Sequence, residues 1–380
     1  MKKKILFITG TRADYGKLKS LMKAIEESEL FELYVFVTGM HLLSMLGSTY
    51  EEVVKGGYKN IYIAFGLAHS ENMSVSLGNT VSHLTGYVDN IKPDMIVVHG
   101  DRTDALAGAM VGALNNIVVA HIEGGEVSGT IDESIRHAIS KFAHLHFVSN
   151  DEAKKRIIQL GEDASNTFVI GSPDIDIMLS DSLPSLQEVK KYYEIPFDNY
   201  GILLYHPVTT EHGSIGEHIK NIVDAIIASN KNFVIIYPNN DLGSEIILNE
   251  YLRFKGIDKF AVYPSMRFEY FLTLLKNTDF LVGNSSVGVR ECGIYGIPAI
   301  NVGSRQSGRY NPTAAKNIQQ VDEEVNDIMR AIEKAHNHKF TQMLFGSGDS
   351  TKKFMEIISE KDIWDKKLQK KFVDYREPHT

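Results

Sequence analysis

Short apolar runs alternate along the chain with longer stretches whose apolar positions recur at helical spacing. Ile5–Thr9, Leu33–Thr38, Met95–Val98, Val118–Ile122, Leu145–Val148 and Thr167–Ile170 are the runs of the first half. Most are continuously apolar rather than alternating, which predicts strands buried on both faces, as in a parallel sheet covered by helices. Between them an amphipathic pattern opens near Leu18, and a charged helix with a short strand occupies 49–65. A long helix fills 73–92 and stops before Pro93, as a helix should. Further helices are expected over Ile131–His144 and 151–160. Gly171-Ser172-Pro173 reads as a hinge, and 174–200 as polar and helical. The alternation then resumes with strands at Gly201–Tyr205, Phe233–Tyr237, Phe260–Tyr263, Phe280–Val282 and Ala299–Val302. A helix near 322–336 and a charged, helical tail at 351–375 complete the pattern. No sequence repeat relates the halves. They repeat in architecture only, as two doubly wound parallel sheets.

Composition narrows the classes. A length of 380 residues exceeds one ordinary core and suits two domains. Hydrophobic content of 43% and charged content of 23% are those of a globular protein. A net charge of -8 argues against nucleic acid or an anionic membrane as partner. The Met1-Lys2-Lys3-Lys4 start resembles a signal-peptide n-region, but the apolar run behind it stops at Thr9-Gly10, too short for an h-region. No stretch approaches the length of a membrane span. Cys292 is the only cysteine, which leaves no internal disulfide and no cysteine zinc cage and fits a reducing cytoplasm.

The candidate chemistry sits where the strands end. His99-Gly100-Asp101-Arg102 follows one strand and Glu123-Gly124-Gly125-Glu126 the next, with Asp132, Arg136 and His137 on the helix after it. Ligands of open α/β sheets bind at the carboxyl ends of strands, so Asp101, Glu123 and Asp132 are expected in one crevice, with Arg102, Arg136 and His137 close by. Clustered carboxylates suit proton transfer at carbon when their surroundings separate their pKa values. The alternative is helix capping and surface ion pairing. After the first strand, Gly10-Thr11-Arg12-Ala13-Asp14-Tyr15-Gly16-Lys17 turns into a helix and presents N–H groups to an anion. Its glycine spacing is neither a dinucleotide fingerprint nor a P-loop. Arg12 and Lys17 favour a phosphate or carboxylate over a plain βα turn. His41, behind the second strand, is a further candidate beside a capping role.

In the second half, Gly283-Asn284-Ser285-Ser286-Val287-Gly288 ends a strand and opens a helix with two adjacent hydroxyls. Free N–H groups, the helix dipole and both serines suit a diphosphate, against plain capping by Asn284 or Ser285. Glu291, further along this helix, could accept from two ribose hydroxyls, and Arg305 could close on the same phosphates. His206 ends the first strand of this half and suits a phosphate contact or a proton transfer. Asn239 and Met266, behind the next two strands, join the substrate-binding candidates. Phe271 belongs to an aromatic cluster with Tyr263, Phe268 and Tyr270, from which one ring could stack on a base although such spacing usually marks core.

With these motifs in order, from Ile5 to about Gln306, the chain resembles the UDP-N-acetylglucosamine 2-epimerase family. More narrowly it is similar to the hydrolysing branch, the bacterial sialic-acid pathway enzymes and the epimerase half of the animal bifunctional epimerase/kinase. The resemblance implies a GT-B-like arrangement of two Rossmann-like domains, 1–172 and 173–357, with the active site in the cleft between them. A C-terminal helix at about 358–380 would pack back on the first. It implies anti elimination of UDP from UDP-GlcNAc through 2-acetamidoglucal, then addition of water, giving N-acetylmannosamine for sialic acid biosynthesis. Neither cofactor nor metal is implied; the partners would be a UDP-sugar and further copies of the chain, as a homodimer or homotetramer. Asp101, Glu123 and Asp132 match the family's catalytic carboxylates, and His206 its active-site histidine near the diphosphate. Arg12 and Arg102 match positive residues at nucleotide or sugar, while Ser285, Ser286, Glu291 and Arg305 match the UDP site. Phe271 falls where the family places a ring near uracil, and His41 near an active-site position. Glu123-Gly124-Gly125-Glu126 and Asp132 resemble the hydrolysing branch, whereas Gly16 departs from the serine of the animal enzyme. Four other readings stay open. They are the same reaction on UDP-2,4-diacetamido-2,4,6-trideoxyglucose for legionaminic acid, a non-hydrolysing epimerase, a GT-B glycosyltransferase, and a UDP-sugar sensor.

Overall fold

A computed structural model describes residues 2–44, 47–65, 72–128, 130–239, 241–365 and 367–374. The chain forms two compact units: one of residues up to Glu126, Ile131–Leu179 and the segment from Phe345 on, the other of Val127–Thr130 and Ser180–Leu344.

The first unit runs β1 (Lys3–Thr9), α1 (Arg12–Glu27), β2 (Phe31–Val37), α2 (Tyr50–Lys55), β3 (Ile61–Ile63), α3 (Met73–Ile91), β4 (Met95–His99), α4 (Thr103–Leu114), β5 (Val118–Ile122), α5 (Ile131–Phe142), β6 (Leu145–Val148), α6 (Asp151–Gln159), β7 (Thr167–Val169) and α7 (Pro173–Met178). Its seven strands pair in the order β3-β2-β1-β4-β5-β6-β7, and the β-pairs are parallel. Side chains of β1 show why the run is apolar throughout. Ile5 and Phe7 pack on one face with Leu18, Leu21 and Ile25 of α1. Leu6 and Ile8 pack on the other with Leu84 and Val88 of α3, Ala105 and Ala109 of α4, and Ile135 and Ile139 of α5. The strand order reverses between β1 and β4, the place where such sheets open a crevice.

α1 begins earlier than the apolar pattern implies. Thr11 accepts from the Asp14 N–H at 3.1 Å while the Asp14 carboxylate accepts from the Thr11 N–H at 3.0 Å, a reciprocal cap that starts the helix at Arg12. Arg12 and Lys17 are therefore helical residues.

The second unit runs α8 (Leu186–Tyr192), β8 (Gly201–Leu204), α9 (Ile215–Ala228), β9 (Phe233–Ile236), α10 (Ser244–Tyr251), β10 (Phe260–Tyr263), α11 (Phe268–Lys276), β11 (Phe280–Gly283), α12 (Ser286–Val289), α13 (Glu291–Tyr295), β12 (Ala299–Val302), β13 (Ile318–Val321) and α14 (Val325–Lys334). Its parallel sheet has the order β10-β9-β8-β11-β12-β13. The fold class is thus α/β with two doubly wound parallel sheets, as the alternation predicts. β13 is additional, because Ile318-Gln319-Gln320-Val321 is too polar to register as a strand. The helix expected after Gly283 is two short ones, parted at Arg290 (φ -101°, ψ -72°), so Glu291 opens α13 rather than continuing α12.

The tail rejoins the first unit through α15 (Ser350–Ser359) and α16 (Lys361–Trp364). Asp176 of α7 accepts from the N–H groups of Ser350 (2.9 Å) and Thr351 (2.6 Å), capping α15, and Phe354 meets Phe147 of β6 edge-on at 4.9 Å. Helix does not extend through 351–375 as expected: residues 371–374 are irregular, and 375–380 lie outside the described residues. Lys370 reaches the Glu162 carboxylate at 2.6 Å, and the Val373 N–H donates to the Gly161 carbonyl at 3.0 Å. No helix among the described residues is long and apolar enough to cross a membrane.

Candidate active site

In the first unit the ends of β4 and β5 are neighbours, with His99 paired to Ile122. Glu123 leaves β5 in a left-handed conformation (φ 62°), uncommon for a side-chain-bearing residue. Gly125 follows at φ 76°, where a Cβ would stand 2.3 Å from the Ala153 carbonyl oxygen of α6, so only glycine fits. This turn aims Glu123 back across the sheet end. Ser172 donates to Oε1 of Glu123, while Oε2 stands 3.1 Å from His99 Nε2 and 3.7 Å from Lys17 Nζ. Lys17 in turn lies 3.4 Å from Asp174 Oδ2. It is directed at carboxylates of its own unit, whereas the sequence reading gives it a ligand anion.

Arg136 binds the two strand ends together. Its guanidinium pairs with the Asp101 carboxylate, donates to the Glu123 carbonyl at 2.8 Å and stands 3.9 Å from Glu126. The guanidinium is buried while the Asp101 carboxylate is 22% exposed, so only one partner of the pair has lost most of its water. Asp132 is buried in the first turn of α5, close in sequence to Arg136 on the same helix. His137 instead faces Glu133, 3.8 Å away, and burial lowers its pKa. Arg102 directs a guanidinium nitrogen to Met40 Sδ at 3.9 Å, and Arg12 pairs with Glu52 of α2 at 2.8 Å. Asp104, in the first turn of α4, packs against Gly10 and Gly39, and burial pushes its carboxyl up to about 6.

His41 is fully buried between Thr9 (Nε2 to Oγ1, 2.9 Å) and Thr49 (Nδ1 to Oγ1, 2.7 Å). Burial lowers its pKa to about 4 although Asp14 pulls the other way, so the ring is neutral. His121 behaves alike. It is bonded to the Gly100 carbonyl (2.8 Å) and Ser140 (3.1 Å), and burial lowers it to about 3. Both histidines brace the strand ends, His41 through Thr9 of β1 and His121 through the Gly100 carbonyl behind β4.

In the second unit Asn284 is the organising residue. Its side chain accepts from the His206 N–H (2.7 Å) and donates to the His206 carbonyl (2.8 Å), so the ends of β8 and β11 are locked together. Gly283 makes room for this at φ 137°, where a Cβ would stand 2.0 Å from the Leu204 carbonyl oxygen. The Asn284 carbonyl accepts from Gln306 (2.7 Å) and from Arg305 (3.3 Å). His206 Nδ1 accepts from the Asn239 N–H at 3.0 Å, so the neutral ring carries its proton on Nε2 and presents it as a donor. Ser285 caps α12, accepting from the Val287 N–H at 3.4 Å, and Ser286 is its first residue. Ser285, Ser286, His206, Asn239 and Arg305 are thus gathered at one sheet end. Glu291 is buried in α13, Met266 is buried ahead of α11, and Phe271 lies among the core residues Leu272, Leu274 and Leu275.

A cavity of about 560 Å³ in this unit is lined by Glu211, His218, Ser304, Gln306, Tyr310 and Glu323 among others. Glu211, His218 and Glu323 offer ligand atoms within 4.8 Å of one another, the one group among the described residues with metal-compatible spacing.

A family model described as UDP-N-acetylglucosamine 2-epimerase matches residues 23–359. The chain belongs to that family. Among its relatives, a UDP-N-acetylglucosamine 2-epimerase of Neisseria meningitidis serogroup B is 48% identical over 98% of this chain and 99% of its own length. A UDP-N,N'-diacetylbacillosamine 2-epimerase (hydrolyzing) of Legionella pneumophila is 31% identical over 94% of this chain and 96% of its own. The solved structure of a Methanocaldococcus jannaschii UDP-GlcNAc 2-epimerase in complex with UDP-GlcNAc and UDP shares the fold, with a TM-score of 0.82 at 22% identity over 94% of this chain and 99% of that one.

Around the motifs that carry the likeness to the 2-epimerases, the structure adds residues the sequence reading passed over. Ser172 belongs to the turn read as a hinge and Asp174 opens the polar helical stretch behind it, His99 ends β4, and Asn284 was weighed only as a cap. A polar residue beside a strand-end glycine was the available signal for Asn284. For Ser172 and Asp174 there was none, because their partner Glu123 lies far away along the chain.

Proposed function

We propose that this chain is a hydrolysing UDP-N-acetylglucosamine 2-epimerase, converting UDP-GlcNAc and water to free N-acetylmannosamine and UDP. The observation that carries the reading is the pairing of two carboxylates at adjacent strand ends with built-in cations, Asp101 on Arg136 and Glu123 beside Lys17, with the His99 ring 3.1 Å from Glu123. Epimerisation at C2 needs a base on one face of the sugar and an acid on the other, and grouped carboxylates in different surroundings supply both.

In the proposed reaction a carboxylate removes the C2 proton. Its electron pair forms the C1–C2 double bond as the C1–O bond breaks toward UDP, leaving 2-acetamidoglucal. A proton then returns to C2 from the opposite face while water adds its oxygen at C1 and gives its other proton to a carboxylate. Asp101, Glu123 and Asp132 are assigned the proton transfers. His206 through its Nε2–H, Ser285, Ser286 and Arg305 are assigned the charge that develops on the diphosphate, where fixed donors are most effective. Elimination followed by addition of water brings no net oxidation or reduction, so the reaction requires no redox cofactor. The product sugar is the entry to sialic acid synthesis.

The 48% identity to the meningococcal relative supports UDP-GlcNAc as substrate. The hydrolysing course rests on the Glu123-Gly124-Gly125-Glu126 turn and on the Legionella relative, whose own sugar provides the second reading. The test is proton NMR of the purified protein with UDP-GlcNAc in D2O and no added NAD. Expected products are UDP and N-acetylmannosamine deuterated at C2. UDP-N-acetylmannosamine would overturn hydrolysis, and turnover of UDP-N,N'-diacetylbacillosamine alone would replace the substrate.

A further inference from the structure

Lys17 has a flexible stem and a compact charge, and it ends between two carboxylates of distant origin. Glu123 of the β5 end stands 3.7 Å from its ammonium and Asp174 of α7 stands 3.4 Å from it. The three side chains are 13%, 3% and 1% exposed, so none is screened as a surface pair would be. Ser172, two residues before Asp174, donates to the other oxygen of the same Glu123 carboxylate. One short segment thus grips Glu123 twice, directly through Ser172 and indirectly through Asp174 and Lys17. Also facing Glu123 among the described residues are His99 from β4 and Arg136 from α5, the latter bonded to its carbonyl and standing near Glu126.

We propose that Asp174 is a positioning residue for the reaction read above, holding Lys17 against Glu123 and so fixing both the place and the charge of that carboxylate. The proposal rests on that reading for its catalytic part. A lysine stem has many rotamers, and a second anchor on its ammonium removes most of them at the distance Glu123 requires. Asp174 also acts electrostatically. It is a second negative charge on the same cation, so it raises the proton affinity of Glu123 relative to a site where Lys17 serves one carboxylate alone.

These two effects separate in experiment. Asp174→Asn keeps the shape and removes the charge, while Asp174→Glu restores the charge one methylene further out. Two readouts are taken on the full chain: kcat and KM for UDP-GlcNAc across pH, and titration of the Glu123 carboxyl by carbon NMR of glutamate-labelled protein, its signal assigned by comparison with Glu123→Gln. Asp174→Asn is expected to lower kcat about tenfold with KM within about twofold, and to move the Glu123 titration and the acid limb down by roughly half to one unit. Lys17→Met should move both up, the opposite direction, and Asp174→Glu should recover most of the loss. A packing role alone would lower stability without moving either titration, and that result overturns the proposal while leaving the reaction standing. Wild-type protein that does not turn over UDP-GlcNAc overturns the reaction and with it the catalytic part, whatever the titration shows.

Discussion

Arg136 shows how much a single residue can organise. It joins Asp101, the Glu123 carbonyl and the neighbourhood of Glu126, so one guanidinium sets the spacing of two strand ends. If the assigned acids move protons, Asp101→Asn and Glu123→Gln should each lower turnover by about 10²–10⁴-fold. UDP affinity measured by calorimetry should change little, and near-normal turnover in either variant would remove that residue from the mechanism. Asn284→Ala removes both bonds to the His206 backbone and leaves two polar groups without partners, at about 1–3 kcal/mol each. The melting temperature and UDP affinity should fall together; UDP affinity at the wild-type value would detach His206 from the nucleotide site. The acids and the second loop's serines were legible because ionisable residues at strand ends stand out against apolar runs. Their partners were not. Lys17 looks like an anion ligand until Asp174, brought close only by folding, is seen beside it.

At the scale of elements, the β5–α5 turn depends on backbone more than side chain. Gly125→Ala would press a methyl group into the Ala153 carbonyl at a positive φ, and should cost more than ~1 kcal/mol in stability. Turnover should fall further than UDP binding, because the turn that would shift carries Glu123. Denaturant titration beside calorimetry checks both, and unchanged turnover would separate Glu123 from the reaction. The buried histidines give the first unit a dependence on acidity with a defined sign. His41 and His121 are lowered by burial to about 4 and about 3, so between pH 6.5 and 4 the unfolded chain binds two protons that the folded chain does not. Their contribution is complete above pH 6.5 and is lost on acidification, while the buried Asp104 carboxyl, raised to about 6, works the other way and leaves a net slope of roughly 1.4 kcal/mol per pH unit near pH 5 from these three groups. Unfolding midpoints at pH 7, 6 and 5 should fall accordingly, and flat midpoints would mean that these rings protonate in place. Buried parallel strands were legible throughout from continuous apolar runs. The edge strand β13 was not, since half its residues are glutamine, and neither was the start of α1, where a reciprocal cap replaces any apolar cue.

Over the whole molecule, the returning tail is the feature that pattern reading captured least well. Its charged composition implied one long helix, whereas residues 367–374 run without regular helix and are fastened by Lys370 to Glu162 and by Leu368 to His144. Burial pushes Glu162 up, but bonds from His146, Lys141 and Lys370 prevail and hold it at about 2. Removing residues from Gln369 onward should lower amide protection around β6, β7 and Gly161 by about 10–100-fold in hydrogen exchange. β8–β12 should keep theirs, and equal loss in both units would refute a local fastening.

The first unit is also discontinuous along the chain: Phe354, Ile358 and Ile363 belong to the same core as β1. During synthesis β1 to α7 emerge first, yet the layer that covers them is made only after Leu344. At roughly 5–20 residues per second the intervening stretch imposes a delay on the order of ten seconds. The second unit, almost unbroken in sequence, can close in that interval. The half of the protein translated first is therefore the half that matures last, and until then it depends on whatever shields its open apolar face in the cell.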